Sequence, residues 1–205
     1  QPSFIETMFA TVSLGAIFVP LNFRLTGEEL AFIIDDAGVH SLIVDPDLIP
    51  VVQSVRERLP CRRFYSVHGA LDGFACLESG LSVAEPLSEI ATSSPHDTLL
   101  IMYTSGTTGL PKGAMLTHGN IVWNNVNASL AFGANKSDVL LTAAPLFHIG
   151  GLNVMTISAF QMGSPLVLLR HFDPEAVLDA IEDHSVTHMF GAPAMFLFMA
   201  QHPTF

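Results

Sequence analysis

A loop rich in glycine and hydroxyl side chains, residues 103–113, constrains this chain more than any other stretch. It follows an apolar run, Thr98–Met102, whose composition predicts a buried strand. The loop carries four Ser or Thr residues, three glycines, a proline and Lys112, the only formally charged side chain between Asp97 and Lys136. Backbone N–H groups at glycines can converge on an anion, and hydroxyls add further donors. The stretch therefore predicts a phosphate-binding loop at the end of a strand.

The net charge limits the classes of ligand that the chain is expected to bind. Its 205 residues carry a formal net charge of −11, only 13% of them are charged, and no basic patch is visible. We therefore expect no nucleic-acid partner. An anionic nucleotide needs local counter-charge, which Lys112 and a divalent metal can supply. A cluster of four arginines is expected to form a solvated turn: Arg56, Arg58, Arg62 and Arg63.

Two further features bear on location. Two cysteines, Cys61 and Cys76, are too few for a disulfide framework, which favours a reducing, cytoplasmic compartment. Residues 139–169 contain no Asp, Glu, Lys or Arg and are long enough to span a bilayer. Prolines and glycines such as Pro145 and Gly150 interrupt this run. It therefore predicts a buried strand, turn, helix and strand, and we expect no transmembrane segment.

Alternation of strand and helix patterns indicates the fold class. Thr26 and Glu29 match a capping box, and Asp173 followed by Pro174 marks another helix start. A polar helix is expected at about residues 48–59. Strands are predicted at Ala16–Pro20, Ser41–Val44, Arg63–Val67, Thr98–Thr104, Gly113–Thr117, Val139–Ala143, Pro165–Leu169 and Val186–Phe190. This order predicts an α/β fold of parallel βαβ layers with helices on both faces.

Two subdomains are expected. Residues 1–96 are predicted to form a first α/β subdomain and a loop-rich connector, truncated at its N-terminus. Residues 97–205 are predicted to form a second α/β subdomain that carries the phosphate-binding loop and is truncated at its C-terminus. The division rests on a stretch rich in glycine, serine and proline at residues 69–96.

An ordinary P-loop differs from this loop in two respects. A P-loop has the pattern G-x-x-x-x-G-K-[ST] and runs into a helix. Here Pro111 replaces the glycine before Lys112, and Gly113 occupies the place of the magnesium-binding hydroxyl. The following Ala114–Leu116 has the composition of a strand. A P-loop phosphotransferase is therefore disfavoured.

The loop instead resembles the signature of the adenylate-forming (AMP-binding) superfamily, which includes acyl-CoA synthetases, luciferases and peptide-synthetase adenylation domains. Three other segments agree, in order. Leu14–Asn22 with Leu25-Thr26 is similar to an early structural motif of acyl-CoA synthetases. Pro145–Gly151 is similar to the second substrate-site motif, and Gly191–Met195 to the strand-to-helix turn beside the acyl pocket. The resemblance covers essentially the whole chain and implies part of the large N-terminal domain of an acyl-CoA synthetase, or fatty-acid–CoA ligase.

The resemblance implies a two-step reaction. A carboxylate attacks the α-phosphate of ATP to give an acyl-adenylate and pyrophosphate, and the thiol of coenzyme A then displaces AMP. Catalysis of the first step is mainly positioning and charge stabilisation. The expected small-molecule partners are a carboxylic acid, ATP with Mg2+, and coenzyme A.

The resemblance also implies roles for individual residues. Lys112 would neutralise charge on the leaving pyrophosphate, and Thr104 would lie near magnesium. His148 would sit where the acyl carboxylate meets the α-phosphate, either donating a hydrogen bond or gating the acyl channel. The turn beside the acyl substrate would contain Gly191, Ala192 and Pro193. The β- and γ-phosphates would be wrapped by Thr104, Ser105, Gly106, Thr107, Thr108 and Gly109.

The later motifs of the family, which include the catalytic lysine of its C-terminal region, do not occur after Met195. The chain is therefore expected to need the missing remainder of its own protein and to be inactive alone. Large apolar residues at 189–199 favour medium- or long-chain fatty acids as substrates. Two alternatives stay open: an adenylation domain that feeds a carrier protein, and a non-catalytic nucleotide-binding protein on the same fold. A homodimer is also left open.

Overall fold

Parallel strands joined by helices form the framework of both structural units of the chain. A computed structural model describes residues 2–71, 73–105 and 109–205. The loop unit comprises Phe9–Thr92 and Leu100–Met115, and the histidine unit comprises Gln1–Met8, Ser93–Leu99 and Leu116–Phe205. The predicted α/β class with parallel strands is confirmed. The division into subdomains at 1–96 and 97–205 stays a prediction.

The loop unit contains a parallel sheet packed on helices. Its elements before β4 (Thr98–Thr104) are α1 Pro2–Ser13, which begins in the histidine unit, α2 Gly27–Asp36, β1 Ser41–Val44, α3 Ile49–Gln53, β2 Arg63–Ser66, β3 Ala75–Cys76 and α4 Leu77–Val83. β2 lies between β1 and β3, with Ser41 opposite Arg63. The core joins apolar residues of α2, β1 and α3, among them Ile34, Val44 and Val52. Burial of this face fixes α2 against the sheet.

The start and end of α2 follow from its local sequence. The Thr26 N–H donates to the Glu29 carboxylate (2.9 Å), and the Glu29 N–H donates to the Thr26 hydroxyl oxygen (3.4 Å). This reciprocal pair is the predicted capping box, and it satisfies two N–H groups that the helix cannot. The helix is followed by Gly38 at φ +61°, where a residue with a Cβ is strained.

Two predictions for this unit are wrong. The expected strand at Ala16–Pro20 is a single parallel bridge between Phe18 and Leu100, and Pro20 has no N–H with which to extend it. The expected helix at 48–59 is instead the short α3 between 3-10 turns at Pro46–Leu48 and Arg56–Arg58. After α3, the Ser54 hydroxyl donates to the Val51 carbonyl at 2.7 Å, a local bond of the kind that competes with helix continuation.

Arg56 also differs from expectation. Its guanidinium lies over the rings of Phe64 and Phe74, 4.1 and 4.7 Å from their centroids. It also donates to the Gly73 carbonyl at 2.6 Å. Arg56 is therefore a packing residue between two aromatic rings, whereas the neighbouring Arg58 forms an exposed ion pair with Glu28 (2.6 Å).

Two strands lead into and out of the glycine-rich loop. β4 is Thr98–Thr104, and β5 is Lys112–Thr117; they pair with each other. Both strands were predicted, and β5 begins one residue earlier than expected. Leu100 and Met102 are buried, as expected for the apolar run before the loop.

The histidine unit contains a second parallel sheet. Its elements after β5 are α5 His118–Phe132, β6 Leu140–Thr142, a π-helical segment Gly150–Ile157, α6 Ser158–Met162, β7 Leu166–Leu168, α7 Pro174–Asp183, β8 His188–Phe190 and α8 Pro193–Ala200. β6 lies between β7 and β8, and Thr142 pairs with both Leu168 and Phe190. The predicted Asp173 cap is present, since its carboxylate accepts from the Ala176 N–H at 3.0 Å. Among the residues described, no helix is long and apolar enough to cross a membrane.

Candidate functional site

The hydroxyl residues at the start of the glycine-rich loop, Thr104 and Ser105, lie at the surface of the loop unit. Thr104 ends β4, and Ser105 follows it; both are exposed. Gly109 is exposed and has φ +97°, a conformation that favours glycine. The predicted phosphate-binding residues Gly106, Thr107 and Thr108 lie outside the described residues. The described part of the loop thus offers hydroxyl groups to a ligand from solvent.

Lys112 is the first residue of β5, and its side chain is exposed. The apolar residues that surround it in sequence do not bury it. A solvent-exposed ammonium can pair with a phosphate as a point charge. The ammonium and the hydroxyls of Thr104 and Ser105 come from the two ends of one loop, a donor set that suits a polyanion.

A cavity of about 270 Å³ lies between this loop and α2. Its lining residues are Glu28, Glu29, Phe32, Ser105, Gly109, Leu110 and Pro111. Both carboxylates already have partners. The hydrogen bonds from Arg58 lower the pKa of Glu28, and those from the Thr26 backbone and hydroxyl lower the pKa of Glu29. Their negative charge is therefore engaged within the protein on this side of the loop.

A metal has one predicted ligand here, the exposed hydroxyl of Thr104. Within residues 2–71, 73–105 and 109–205, no group of three or more His, Cys, Asp or Glu side chains is arranged to hold a metal ion. Mg2+ generally keeps several waters and takes its other ligands from one or two carboxylates and from substrate phosphates.

His148 occupies the turn after β6 in the histidine unit, and its side chain is exposed. The N–H of Gly150 donates to His148 Nδ1 at 3.2 Å. Because Nδ1 accepts this bond, the neutral ring carries its proton on Nε2. His148 therefore presents an N–H donor to its surroundings, which is the chemistry required by one of its two predicted roles, hydrogen-bond donation.

Two glycines after His148 let the chain pack closely. A Cβ on Gly150 would lie 2.7 Å from Cε1 of Phe190, and a Cβ on Gly151 would lie 2.3 Å from the carbonyl oxygen of Pro145. Cβ atoms essentially never approach other heavy atoms to less than about 3.0 Å. The ring of Phe190 therefore lies directly against the backbone two residues from His148, a contact for which the sequence contains no local signal.

The predicted acyl-side turn follows Phe190. Gly191 is half-buried, and the next two residues, Ala192 and Pro193, are exposed; Pro193 is the first residue of α8. The N–H of Ala192 donates to the sulfur of Met195 at 3.4 Å. β6 and β8 are parallel neighbours, so the His148 turn and the 191–193 turn leave the same edge of one sheet. Ligands commonly bind at the carboxyl ends of such strands.

Two buried hydroxyl groups, Thr156 within the π-helical segment and Thr142 in β6, were missed by sequence reasoning. The Thr156 hydroxyl donates to the Gly151 carbonyl (2.9 Å) and lies 2.9 Å from the Thr142 hydroxyl. Since the Thr156 proton is used on Gly151, Thr142 donates to Thr156. These two hydrogen bonds connect β6 to Gly151, which lies three residues after His148. Threonines in an apolar stretch were its only sequence signal.

Comparison with known proteins identifies the family of the chain. The family model for AMP-binding enzymes matches residues 1–205. The chain is 37% identical to a feruloyl-CoA synthase from Amycolatopsis sp., covering 99% of this chain and 39% of that protein. It is 36% identical to an indoleacetate–CoA ligase from Aromatoleum aromaticum, covering 99% of this chain and 40% of that protein.

A solved structure shares the fold. The crystal structure of a long-chain-fatty-acid–CoA ligase from Archaeoglobus fulgidus matches with a TM-score of 0.88 and 26% identity, over 97% of this chain and 39% of that one. The chain spans about two fifths of the length of these relatives. A family match along its whole length, with relatives that are CoA ligases, establishes that the chain belongs to the AMP-binding enzyme family.

Proposed function

We propose that the complete protein activates a carboxylic acid with ATP and transfers the acyl group to coenzyme A. One structural observation supports the proposal in addition to family membership. The exposed hydroxyls of Thr104 and Ser105 and the exposed ammonium of Lys112 belong to one loop that joins two paired strands. Such a donor set fits the phosphates of a nucleotide.

The loop residues would bind and position ATP. Thr104, Ser105 and Gly109, with Gly106, Thr107 and Thr108, would hold the β- and γ-phosphates. A substrate carboxylate oxygen forms a bond to the α-phosphorus, and the bond from that phosphorus to pyrophosphate breaks. Lys112 would stabilise the charge that accumulates on the leaving pyrophosphate. Magnesium near Thr104 would supply further neutralisation of phosphate charge.

His148 would act on the acid side. Its Nδ1 accepts from Gly150, so its Nε2–H is the free donor. That N–H could hydrogen-bond the attacking carboxylate or the developing charge on the α-phosphate. Removing one such donor typically costs about 10²–10³ in rate. The turn Gly191–Pro193 would contact the acyl group.

Two classes of acid are candidates. A medium- or long-chain fatty acid follows from the large apolar residues on β8 and α8, such as Phe196, which is exposed. An aromatic acid is favoured by the relatives that are named for feruloyl-CoA and indoleacetate. Coenzyme A is the proposed acceptor, and a carrier protein is its rival. A non-catalytic nucleotide-binding protein on the same fold is the alternative to an enzyme. A homodimer is left open, and a cytoplasmic location stays a prediction.

Pyrophosphate release by the complete protein tests the proposal. The assay should supply ATP, Mg2+ and a panel of aliphatic acids of increasing length beside aromatic acids such as ferulate and indoleacetate. We expect release with at least one acid, and formation of its thioester when coenzyme A is added. Release with no acid would contradict the proposal, and release without a thioester would favour a carrier protein as acceptor. The 205-residue chain alone is expected to form no thioester.

Substitution at the two candidate catalytic residues gives a sharper result. Lys112→Ala should slow adenylation about 100-fold or more. Lys136→Ala is the matched control, since Lys136 is the other lysine of the chain and is also exposed. His148→Ala should slow adenylation by a similar factor. Equal losses in the variants at 112 and 136 would show that the charge of Lys112 has no specific role.

A further inference from the structure

The two ends of the glycine-rich loop contact each other at its base. Tyr103 is the next-to-last residue of β4, and Gly113 is the second residue of β5. A Cβ on Gly113 would lie 3.0 Å from Cζ of Tyr103 and 2.8 Å from Cγ2 of Ile101. Only glycine lets β5 pass this closely over the tyrosine ring. The first and last residues of the loop, Tyr103 and Gly113, therefore pack closely against each other.

The hydroxyl of Tyr103 extends this contact to α2. It donates to the carboxylate of Asp36 at 2.5 Å, across 67 residues of sequence. Removal of the phenol from water and the bond to Asp36 together raise the pKa of Tyr103 above its ordinary range. The phenol therefore keeps its proton at neutral pH and remains a donor. A hydrogen bond to a charged acceptor is stronger than one between neutral groups.

α2 is itself held firmly. Ile33 and Ile34 are 2% and 0% exposed in the core of the loop unit. Glu28 at its start receives two hydrogen bonds from Arg58, at 2.6 and 2.9 Å. The first two turns of the helix also line the cavity beside the loop. Asp36 thus ties the loop to a helix whose position is fixed by packing.

We propose that Asp36, Tyr103 and Gly113 form a clasp that closes the base of the phosphate-binding loop and sets its position for ATP. Asp36 and Tyr103 are positioning residues, since they act through the loop. The inference rests on the proposed function, because it assumes that the loop binds the phosphates of ATP. A loop anchored at its base loses less conformational freedom when the nucleotide binds, so the clasp strengthens ATP binding.

Substitutions in the complete protein test the clasp, with the dissociation constant for ATP measured by calorimetry as the first readout. Tyr103→Phe keeps the ring and removes the hydroxyl, and Asp36→Ala removes the acceptor. Each should weaken ATP binding about tenfold, and the double variant should be no worse than either single one. Asp36→Asn keeps an acceptor oxygen and should stay within about twofold of the parent.

The control is Tyr65→Phe, the same change at the only other tyrosine of the chain, in β2. It should leave ATP binding unchanged. The KM for the acid should also be unchanged in Tyr103→Phe, since a general loss of structure would raise both values. Unaltered ATP binding in Tyr103→Phe and Asp36→Ala would overturn the clasp. So would parallel changes in ATP binding and acid KM.

The same experiment separates failure of the clasp from failure of the proposed function. If the parent protein binds ATP and releases pyrophosphate but its clasp variants bind ATP equally well, the clasp is wrong and the function stands. If the parent binds ATP with the expected clasp dependence but activates no acid, the clasp stands and the function is wrong. A parent that binds no ATP contradicts both.

Discussion

Replacing Gly151 with alanine tests whether close packing after β6 holds His148 in place. The new Cβ would lie 2.3 Å from the Pro145 carbonyl oxygen and 2.8 Å from the Ala144 carbonyl oxygen. Both neighbours are backbone atoms, so no side-chain rotation can relieve the contact. To restore a separation of 3.0 Å, the backbone at Pro145 and Gly151 must move apart by about 0.7 Å.

The size of the effect follows from this displacement. Overpacking in a closely packed region costs about 1–3 kcal/mol of unfolding free energy. The same movement shifts the turn between Pro145 and Gly151, which carries His148 and its bond from the Gly150 N–H. A misplacement near 1 Å in a reacting group can cost about 100-fold in rate. We therefore expect Gly151→Ala to lower both stability and the adenylation rate.

The assay compares Gly151→Ala with Gly80→Ala in the complete protein, by pyrophosphate release and chemical unfolding. Gly80 lies in α4, and a Cβ there would meet no atom within 4 Å. Alanine at that position should leave the rate unchanged and add about 0.5–1 kcal/mol of stability, because glycine is a poor helix former. If Gly151→Ala matched the parent in rate and stability, the packing argument would be refuted.

Four further changes give independent tests. Lys112→Met should raise the KM for ATP and leave the unfolding midpoint unchanged, because its side chain is exposed. Asp173→Ala should cost about 1 kcal/mol in a urea titration, because α7 loses its N-cap. Arg56→Lys should cost about 1–2 kcal/mol in the same titration, because an ammonium cannot stack between two rings as a guanidinium does. Glu29 has a folded-state pKa below its ordinary 4.5, chiefly because of the hydrogen bond from the Thr26 N–H. The stabilisation that ionised Glu29 gives the folded state is therefore complete above pH 4.5. It is lost as the pH falls through the lower pKa of the folded state. Glu29→Gln should flatten the dependence of stability on pH in that window.

Signals that lie within one element predicted the fold well. The capping box at Thr26 and the Asp173 cap locate helix starts because their hydrogen bonds span only three residues. Apolar runs such as Val139–Ala143 located the parallel strands, since both faces of a strand such as β6 are buried. The glycine-rich loop was found for the same reason, as its chemistry is contiguous in sequence.

The structural features that were not predicted depend on contacts between residues that are far apart in the sequence. Phe190 packs on Gly150, and Tyr103 bonds to Asp36, across 40 and 67 residues respectively. Neither pair leaves a local pattern. The strand expected around Phe18 failed because a single bridge to Leu100 formed there, and strand length depends on the partner. The sequence likewise did not predict which ring nitrogen of His148 carries the proton, because the tautomer is set by the hydrogen bond from the Gly150 N–H.

In the π-helical segment Gly150–Ile157, the number of residues is as important for the structure as the type of each residue. Hydroxyls of Thr156 and Ser158 each reach the carbonyl five residues earlier, Gly151 and Asn153, at 2.9 and 3.1 Å. A π-turn behaves like an α-turn with one inserted residue. Deleting one residue here would convert the segment to α-helix and move both hydroxyls off their carbonyls. A one-residue deletion between His148 and Ser158 of this chain should therefore be more disruptive than a substitution by a similar residue at the same position.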